Sequence, residues 1–186
     1  MLKSRDLALA LIGVRRLLHF GSDAFGIFDA SPKGFWTSFW AAALVLPVWC
    51  LVIADQMSGM AHPSLVRFVA IQAIGYAISW LAYPLAMVKI CDLLDRWPRY
   101  YGYMVAYNWF QVVQAVAWLP LVLLVDLKAS PGLVAIAWLT THGVLMTYSW
   151  FIARRGLQVD AIAASALVVI DLLLSLLIDR LSEILV

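Results

Sequence analysis

The sequence predicts an all-α integral membrane protein, a bundle of five transmembrane helices preceded by an interfacial amphipathic helix. Of the 186 residues, 65% are hydrophobic and 13% are charged, and the mean hydropathy is +0.91. Soluble domains are roughly 45–50% apolar and about 25% charged. Five apolar stretches each approach the ~20 residues that cross the hydrocarbon core as a helix. Nine Trp and seven Tyr residues suit the two membrane interfaces.

Residues 1–34 form the first predicted region, an amphipathic helix and a connector on the cytoplasmic side. Arg5, Arg15 and Arg16 share one face of this helix, and leucines share the opposite face. We expect the arginines to contact anionic lipid headgroups at the inner face and the leucines to contact acyl chains. The alternative is a cytoplasmic helix that packs on the bundle. A signal peptide is not expected, because Arg15 and Arg16 interrupt the apolar run and no small-residue cleavage site follows.

Residues 35–186 form the second predicted region, the transmembrane domain. Ser31 and Pro32 have the chemistry of a helix N-cap and first helical position, so we expect the first span to begin there. The predicted spans are 35–54, 68–90, 103–125, 132–152 and 161–178, with a short tail at 179–186. Helices are expected throughout because unpaired backbone groups are not tolerated in lipid.

The basic residues predict the orientation of the chain. With the N-terminus inside, ten basic residues fall in inner segments: Lys3, Arg5, Arg15, Arg16, Lys33, Lys89, Arg96, Arg99, Arg154 and Arg155. Three fall in outer segments: Arg67, Lys128 and Arg180. This positive-inside bias predicts a multi-pass protein of the cell inner membrane, with a cytoplasmic N-terminus and a periplasmic C-terminus.

A polar layer is predicted near the middle of the membrane. Counting along the spans places Gln114, His142 and Asp171 at about the same depth. Neighbouring turns of the same spans add further members to this layer: Asn108, Gln111 and Ser175. A charged group at the bilayer centre costs roughly 2.5–3.5 kcal/mol on insertion scales, so Asp171 needs a partner or a proton.

Three interpretations of this polar layer stay open. In the first, Asp171 and His142 exchange a proton or bind a cation, with Gln111 and Gln114 as hydrogen-bond partners. In the second, the same groups hydrogen-bond across helices and fix the packing of the bundle. In the third, Asp171 faces a partner subunit and is satisfied only in a complex.

The sequence does not indicate catalysis, metal binding or nucleic-acid binding. His19, His62 and His142 fall at three different depths, so they cannot share a metal site or a haem. The motifs of phosphate-binding loops, zinc proteases and serine hydrolases are not found. A net charge of +2, divided among several loops, argues against nucleic acid. We therefore expect a non-enzymatic protein with no cofactor and no metal.

The start of the first span resembles that of a known family. The segment Phe28-Asp-Ala-Ser-Pro-Lys-Gly-Phe-Trp36 is similar to the proline-plus-aromatic start of many bacterial Yip1-type membrane proteins. Five spans, an inner N-terminus and an outer C-terminus also resemble that family. The resemblance implies a membrane-organising or trafficking-type adaptor, with no catalytic residues to transfer.

Two functions follow from these patterns. The leading prediction is a scaffold or accessory protein of the lipid bilayer, acting as a homo-oligomer or as a subunit of a larger membrane complex. The alternative belongs to a different class, a small proton- or cation-coupled transporter or channel that uses Asp171 and His142. Ion flux that depends on Asp171 would distinguish the two.

Overall fold

A computed structural model describes residues 4–58 and 64–185 of the chain. Within these ranges the regular structure is helical and no residue belongs to a strand, which confirms the predicted all-α class. The α-helices are α1 (Ser4–Leu18), α2 (Pro32–Ser38), α3 (Trp40–Ser58), α4 (Leu65–Leu93), α5 (Tyr100–Asp126), α6 (Pro131–Gly156) and α7 (Ala161–Leu185). Short 3-10 segments occupy Ser22–Gly26 and Trp97–Arg99.

Four stretches of the described chain are long and apolar enough to cross a membrane. They are Pro32–Met57, Leu65–Leu93, Trp97–Asp126 and Ala161–Leu185. They correspond to the first, second, third and fifth predicted spans. The fourth predicted span, 132–152, lies within the helix α6, but α6 is not one of the four candidate membrane spans. Its centre carries Thr140, Thr141 and His142, which lower its hydropathy.

The last helix is longer than the sequence predicts. We expected it to end at Ile178 and a tail to follow, but α7 continues to Leu185. The apolar run stops at Asp179, yet the helix goes on through Arg180 and Glu183. These two side chains form an ion pair three residues apart, with 2.9 Å between nitrogen and oxygen, which suits a helix.

The first candidate span is interrupted near its start. The Gly34 amide donates to the Ser31 hydroxyl at 3.1 Å, which confirms the predicted N-cap, and Pro32 occupies the first turn. The helix α2 then ends at Ser38, whose hydroxyl donates to the Phe35 carbonyl at 2.7 Å. The helix α3 begins two residues later, so the first candidate span consists of two helical pieces.

Tight turns end several helices without glycine. The residues just past α1, α4, α5 and α6 have φ near 55°: Phe20, Asp95, Lys128 and Gln158. A left-handed residue at this position directs the next amides back to the last helix carbonyls. The Gly21 amide, for example, donates to the Arg16 carbonyl at 2.9 Å. Such turns let residues 127–130 and 157–160 reverse the chain and make α5, α6 and α7 antiparallel neighbours.

The helix α5 is at the centre of the bundle. It contacts α1, α2, α3, α4 and α6, and α7 packs between α4 and α6. We call one end of the bundle the N-terminal end, because α1 lies there and the Tyr148 hydroxyl of α6 donates to the Leu18 carbonyl at 2.8 Å. At the opposite, C-terminal end, Arg67 of α4 donates to the Leu185 carbonyl of α7 at 3.1 Å.

The core is concentrated toward the N-terminal end. Along α5 every residue from Tyr103 to Phe110 is buried, whereas none from Gln111 to Asp126 is. Buried residues of α4 and of the end of α6 pack around the first half of α5, among them Met87 and Ile152. The second half of α5 is therefore more loosely surrounded.

The helix α1 packs on the bundle through Ala10, Gly13 and Leu17, which are buried. Leu11 and Leu18, which we expected to contact acyl chains, are exposed. The helix therefore packs on the bundle through one face, and whether its exposed face meets lipid or the cytoplasm stays a prediction. The three arginines predicted to contact headgroups are exposed, and their contact with lipid stays a prediction.

Candidate functional site

A cavity of about 430 Å³ lies among α3, α4, α5 and α7. Its lining begins near the middle of the bundle, at Tyr83, Tyr107 and Asp171. It extends toward the C-terminal end, where Gln72 and Ser182 line it. The cavity thus occupies the part of the bundle in which α5 is not fully packed.

The polar lining comes from one stripe on each of three helices. The stripes are Gln72, Tyr76, Ser79 and Tyr83 on α4; Tyr107, Gln111, Gln114 and Trp118 on α5; and Asp171, Ser175, Asp179 and Ser182 on α7. Steps of three or four residues return to the same face of a helix. The sequence of each helix therefore presents polar and aromatic groups on one side, and the fold turns these three sides toward each other.

Asp171 lies at the deep end of the cavity. One of its carboxylate oxygens accepts a hydrogen bond from the Tyr107 hydroxyl at 2.7 Å, and the side chain is half-buried. The Tyr107 ring stacks on Tyr83 with 4.6 Å between centroids. The hydroxyls of Tyr83 and Tyr103 lie 2.7 Å apart. These three tyrosines, which we call the tyrosine cluster, close the N-terminal side of the cavity.

Asn108 lines the cavity as well, with only 1% of its surface exposed. Its amide nitrogen donates to the Ser38 hydroxyl at 2.8 Å. Because Ser38 already donates to the Phe35 carbonyl, its oxygen must be the acceptor here, which fixes the orientation of the Asn108 amide. The remaining Asn108 oxygen is buried and accepts no hydrogen bond from any described residue. A buried polar group left in this state costs about 1–3 kcal/mol.

The side walls of the cavity are aromatic. Trp49 of α3, Trp80 of α4 and Trp118 of α5 line it. Tyr76 also lines it, and its hydroxyl donates to the Ala42 carbonyl at 2.6 Å, which joins α4 to α3. The face of an aromatic ring carries a negative quadrupole, which attracts cations.

The charged side chains that line the cavity are acidic. Among the described lining residues the charged ones are Asp171 and Asp179, and none is Lys, Arg or His. Asp179 is exposed, on the turns of α7 toward the C-terminal end. In residues 4–58 and 64–185, no three His, Cys, Asp or Glu side chains are grouped as they would be in a metal site. A low-dielectric cleft with charges of one sign attracts the opposite charge.

The structure brings together most of the predicted polar layer. Asp171, Gln114, Gln111, Asn108 and Ser175 all line the cavity. They come from α5 and α7, and the residue of α5 that contacts Asp171 directly is Tyr107.

His142 is the exception. Its ring stacks on Trp138 with 4.1 Å between centroids and meets the ring of Trp118 edge-on at 4.8 Å. It does not line the cavity, and no hydrogen bond or ion pair joins it to Asp171 in the described structure. Its Nδ1 atom is buried and has no hydrogen-bond partner among the described residues. Asp171 and His142 therefore have no direct contact through which the predicted proton exchange could occur.

Comparisons of the chain with protein-family models, with curated proteins and with solved structures find no match. The resemblance to Yip1-type proteins stays a prediction.

Sequence reasoning missed part of the lining. Tyr83, Tyr107 and Asp179 were not predicted as site residues, and the lining of α4 was not predicted at all. A signal was present, because residues 72, 76, 79 and 83 of α4 have the same spacing as residues 107, 111, 114 and 118 of α5. Such a spacing marks one face of a helix.

Proposed function

We propose that the chain is a small membrane transporter that binds a cation in the cavity, with Asp171 as the principal charge. The observation that carries this proposal is a cavity of about 430 Å³ in which two carboxylates have no basic counterpart among the described lining residues. Intramembrane ionisable residues usually mark a substrate or ion pathway. A cation would supply the charge that the protein lacks there.

Part of the hydrogen-bond pattern supports this function. In a polar layer that only fixes helix packing, all the polar groups would bond across helices, as Asp171 and Asn108 do. Gln114, Ser175 and Ser182 line the cavity, yet they form no hydrogen bond with another described residue. Side chains that remain available to a ligand support binding rather than packing as the role of this layer.

We infer that α6 is a fifth span. It has 26 residues and packs between α5 and α7, which are both candidate spans. At 1.5 Å per residue it is about 39 Å long, enough to cross roughly 30 Å of hydrocarbon. Its polar centre contacts neighbouring helices, since His142 lies against Trp118 of α5. Five crossings would put the chain ends on opposite sides, and the charge bias favours a cytoplasmic N-terminus.

The geometry suggests a path for the cation. Asp179 attracts it at the C-terminal end, and Asp171 binds it at mid-bundle, next to the Tyr107 hydroxyl. The tyrosine cluster blocks the way to the N-terminal end. Completing transport therefore requires α4 and α5 to separate where the hydroxyls of Tyr83 and Tyr103 meet.

Charge movement in liposomes tests the proposal. Wild type, Asp171→Asn and Asp126→Asn are reconstituted, and currents are recorded after concentration jumps of protons, Na⁺, K⁺ and cadaverine. We expect at least one cation to move charge through wild type and through Asp126→Asn, and none through Asp171→Asn. Asp126 is a matched control, because it is an exposed carboxylate on α5 outside the cavity.

Two outcomes would overturn the transport proposal: no current with any of the four cations, or currents that Asp171→Asn leaves unchanged. Circular dichroism and gel filtration of each variant show whether it is folded. Asp171→Glu, which keeps the charge, should keep part of the current, so a loss caused by misfolding can be recognised.

A further inference from the structure

The two carboxylates of the cavity lie at different depths on one helix. Asp171 and Asp179 are eight residues apart on α7, which corresponds to a rise of about 12 Å. Both line the same cavity. A single small ion cannot contact two groups so far apart, whereas an elongated molecule can contact both.

The deep end offers an acceptor suited to an ammonium group. At Asp171 one oxygen is bonded to Tyr107, and no hydrogen bond to the other is found in the described structure. An alkylammonium carries three N–H donors and no acceptor, so it complements a carboxylate, which has no donor.

The aromatic lining of the cavity suits a hydrocarbon chain. Trp49, Trp80 and Trp118 are among the residues that line it. A volume of about 430 Å³ lies in the range of pockets for organic ligands, which is roughly 300–1,000 Å³. Aromatic walls bind methylene groups by burial and stabilise nearby ammonium groups through the ring quadrupole.

We propose that the cavity binds a linear alkyl diammonium ion, with one ammonium at Asp171 and the other at Asp179. Each ammonium–carboxylate contact spans about 2.8 Å, which leaves about 6 Å of the helix rise between the two nitrogens. A chain of about four to six carbon atoms covers that distance. This inference rests on the proposed function, since it names the class of cation that the same site takes.

Calorimetric titration of the purified protein in nanodiscs tests the proposal, with cadaverine and pentylamine as probes. The two probes have the same carbon chain and differ in the second ammonium. We expect cadaverine to bind wild type about ten-fold or more tightly than pentylamine. In Asp179→Asn we expect cadaverine to fall to the affinity of pentylamine, while pentylamine binds as in wild type. Asp171→Asn should weaken both probes, and Asp126→Asn should change neither.

The outcomes separate this inference from the proposed function. Equal binding of the two probes to wild type, or an Asp179→Asn variant that still prefers cadaverine, would overturn the diammonium proposal. The same holds if neither probe binds while Na⁺, K⁺ or protons give currents that depend on Asp171, and in that case the transport proposal stands. If no cation gives such currents and neither probe binds, both proposals fail. Asp179 is exposed, so Asp179→Asn should fold normally, which gel filtration checks.

Discussion

The two halves of α5 belong to one helix but have different surroundings. From Tyr103 to Phe110 the helix is buried on all sides, because α1, α2 and α3 pack around it together with the end of α6. From Gln111 to Asp126 no residue is fully buried, and the cavity lies along the part of this half that ends at Trp118. Both halves belong to one candidate span, Trp97–Asp126. Assigning that span does not show which half of it is packed and sealed and which is open, whereas the contacts between helices do.

The largest expected effect is in the packed half. Phe110 is 0% exposed, and Phe110→Ala should lower the free energy of unfolding by about 3–5 kcal/mol, because the cavity it leaves is lined by a rigid core. Titration with a denaturing detergent, followed by circular dichroism, measures the change. The matched control is Trp118→Ala in the open half. It should lower the free energy of unfolding by clearly less than Phe110→Ala, although it removes a larger side chain. Equal losses would show that the two halves are equally packed.

Alanine substitutions at two glycines of α6 should change the free energy of unfolding in opposite directions. A Cβ atom at Gly156 would lie 2.9 Å from the ring of Phe25 and 3.1 Å from that of Tyr103, so Gly156→Ala should cost about 1–3 kcal/mol. A Cβ atom at Gly143 would meet nothing within 4 Å, so Gly143→Ala should stabilise the helix by roughly 0.5–1 kcal/mol. The same detergent titration measures both variants. A stabilised Gly156→Ala variant would contradict the close packing at the N-terminal end.

The smallest disturbance is expected at Ser175, whose hydroxyl has no hydrogen bond in the described structure. Ser175→Cys should change the free energy of unfolding by less than about 0.5 kcal/mol. In a Cys50→Ser background, a cationic and membrane-impermeant thiol reagent should label this new thiol. Cys91 is 0% exposed in the packed half and serves as the internal control. Mass spectrometry locates the label, and labelling of Cys91 alone would reverse the assignment of open and sealed halves.

The helices could be predicted well because their signals are local. The apolar runs located α3, α4, α5 and α7, and the Ser31 cap was predicted from two residues. The end of α7 was wrong, because the apolar run stops at Asp179 whereas the helix is continued by backbone hydrogen bonds and by the Arg180–Glu183 pair. Hydropathy measures transfer into lipid, and a helix does not need to end where that transfer becomes unfavourable.

Several members of the candidate site could be predicted, but not the direction of each side chain. Counting residues along each span gives an expected level for Asp171 and His142, since the helix rise is constant. Which way each side chain points depends on how the helices are rotated, and that is decided by contacts between helices. Here the His142 ring stacks on Trp138 and does not line the cavity. The stripes on α4, α5 and α7 would have given the rotation, because each one marks the face that the helix turns inward.

The tyrosine cluster has a consequence for the cell as a whole. A membrane that stores energy as a voltage is discharged by any continuous column of water that crosses it. Three phenol rings interrupt such a column where the hydroxyls of Tyr83 and Tyr103 meet, so the resting protein would be electrically silent. Many copies of it could then be present without short-circuiting the membrane.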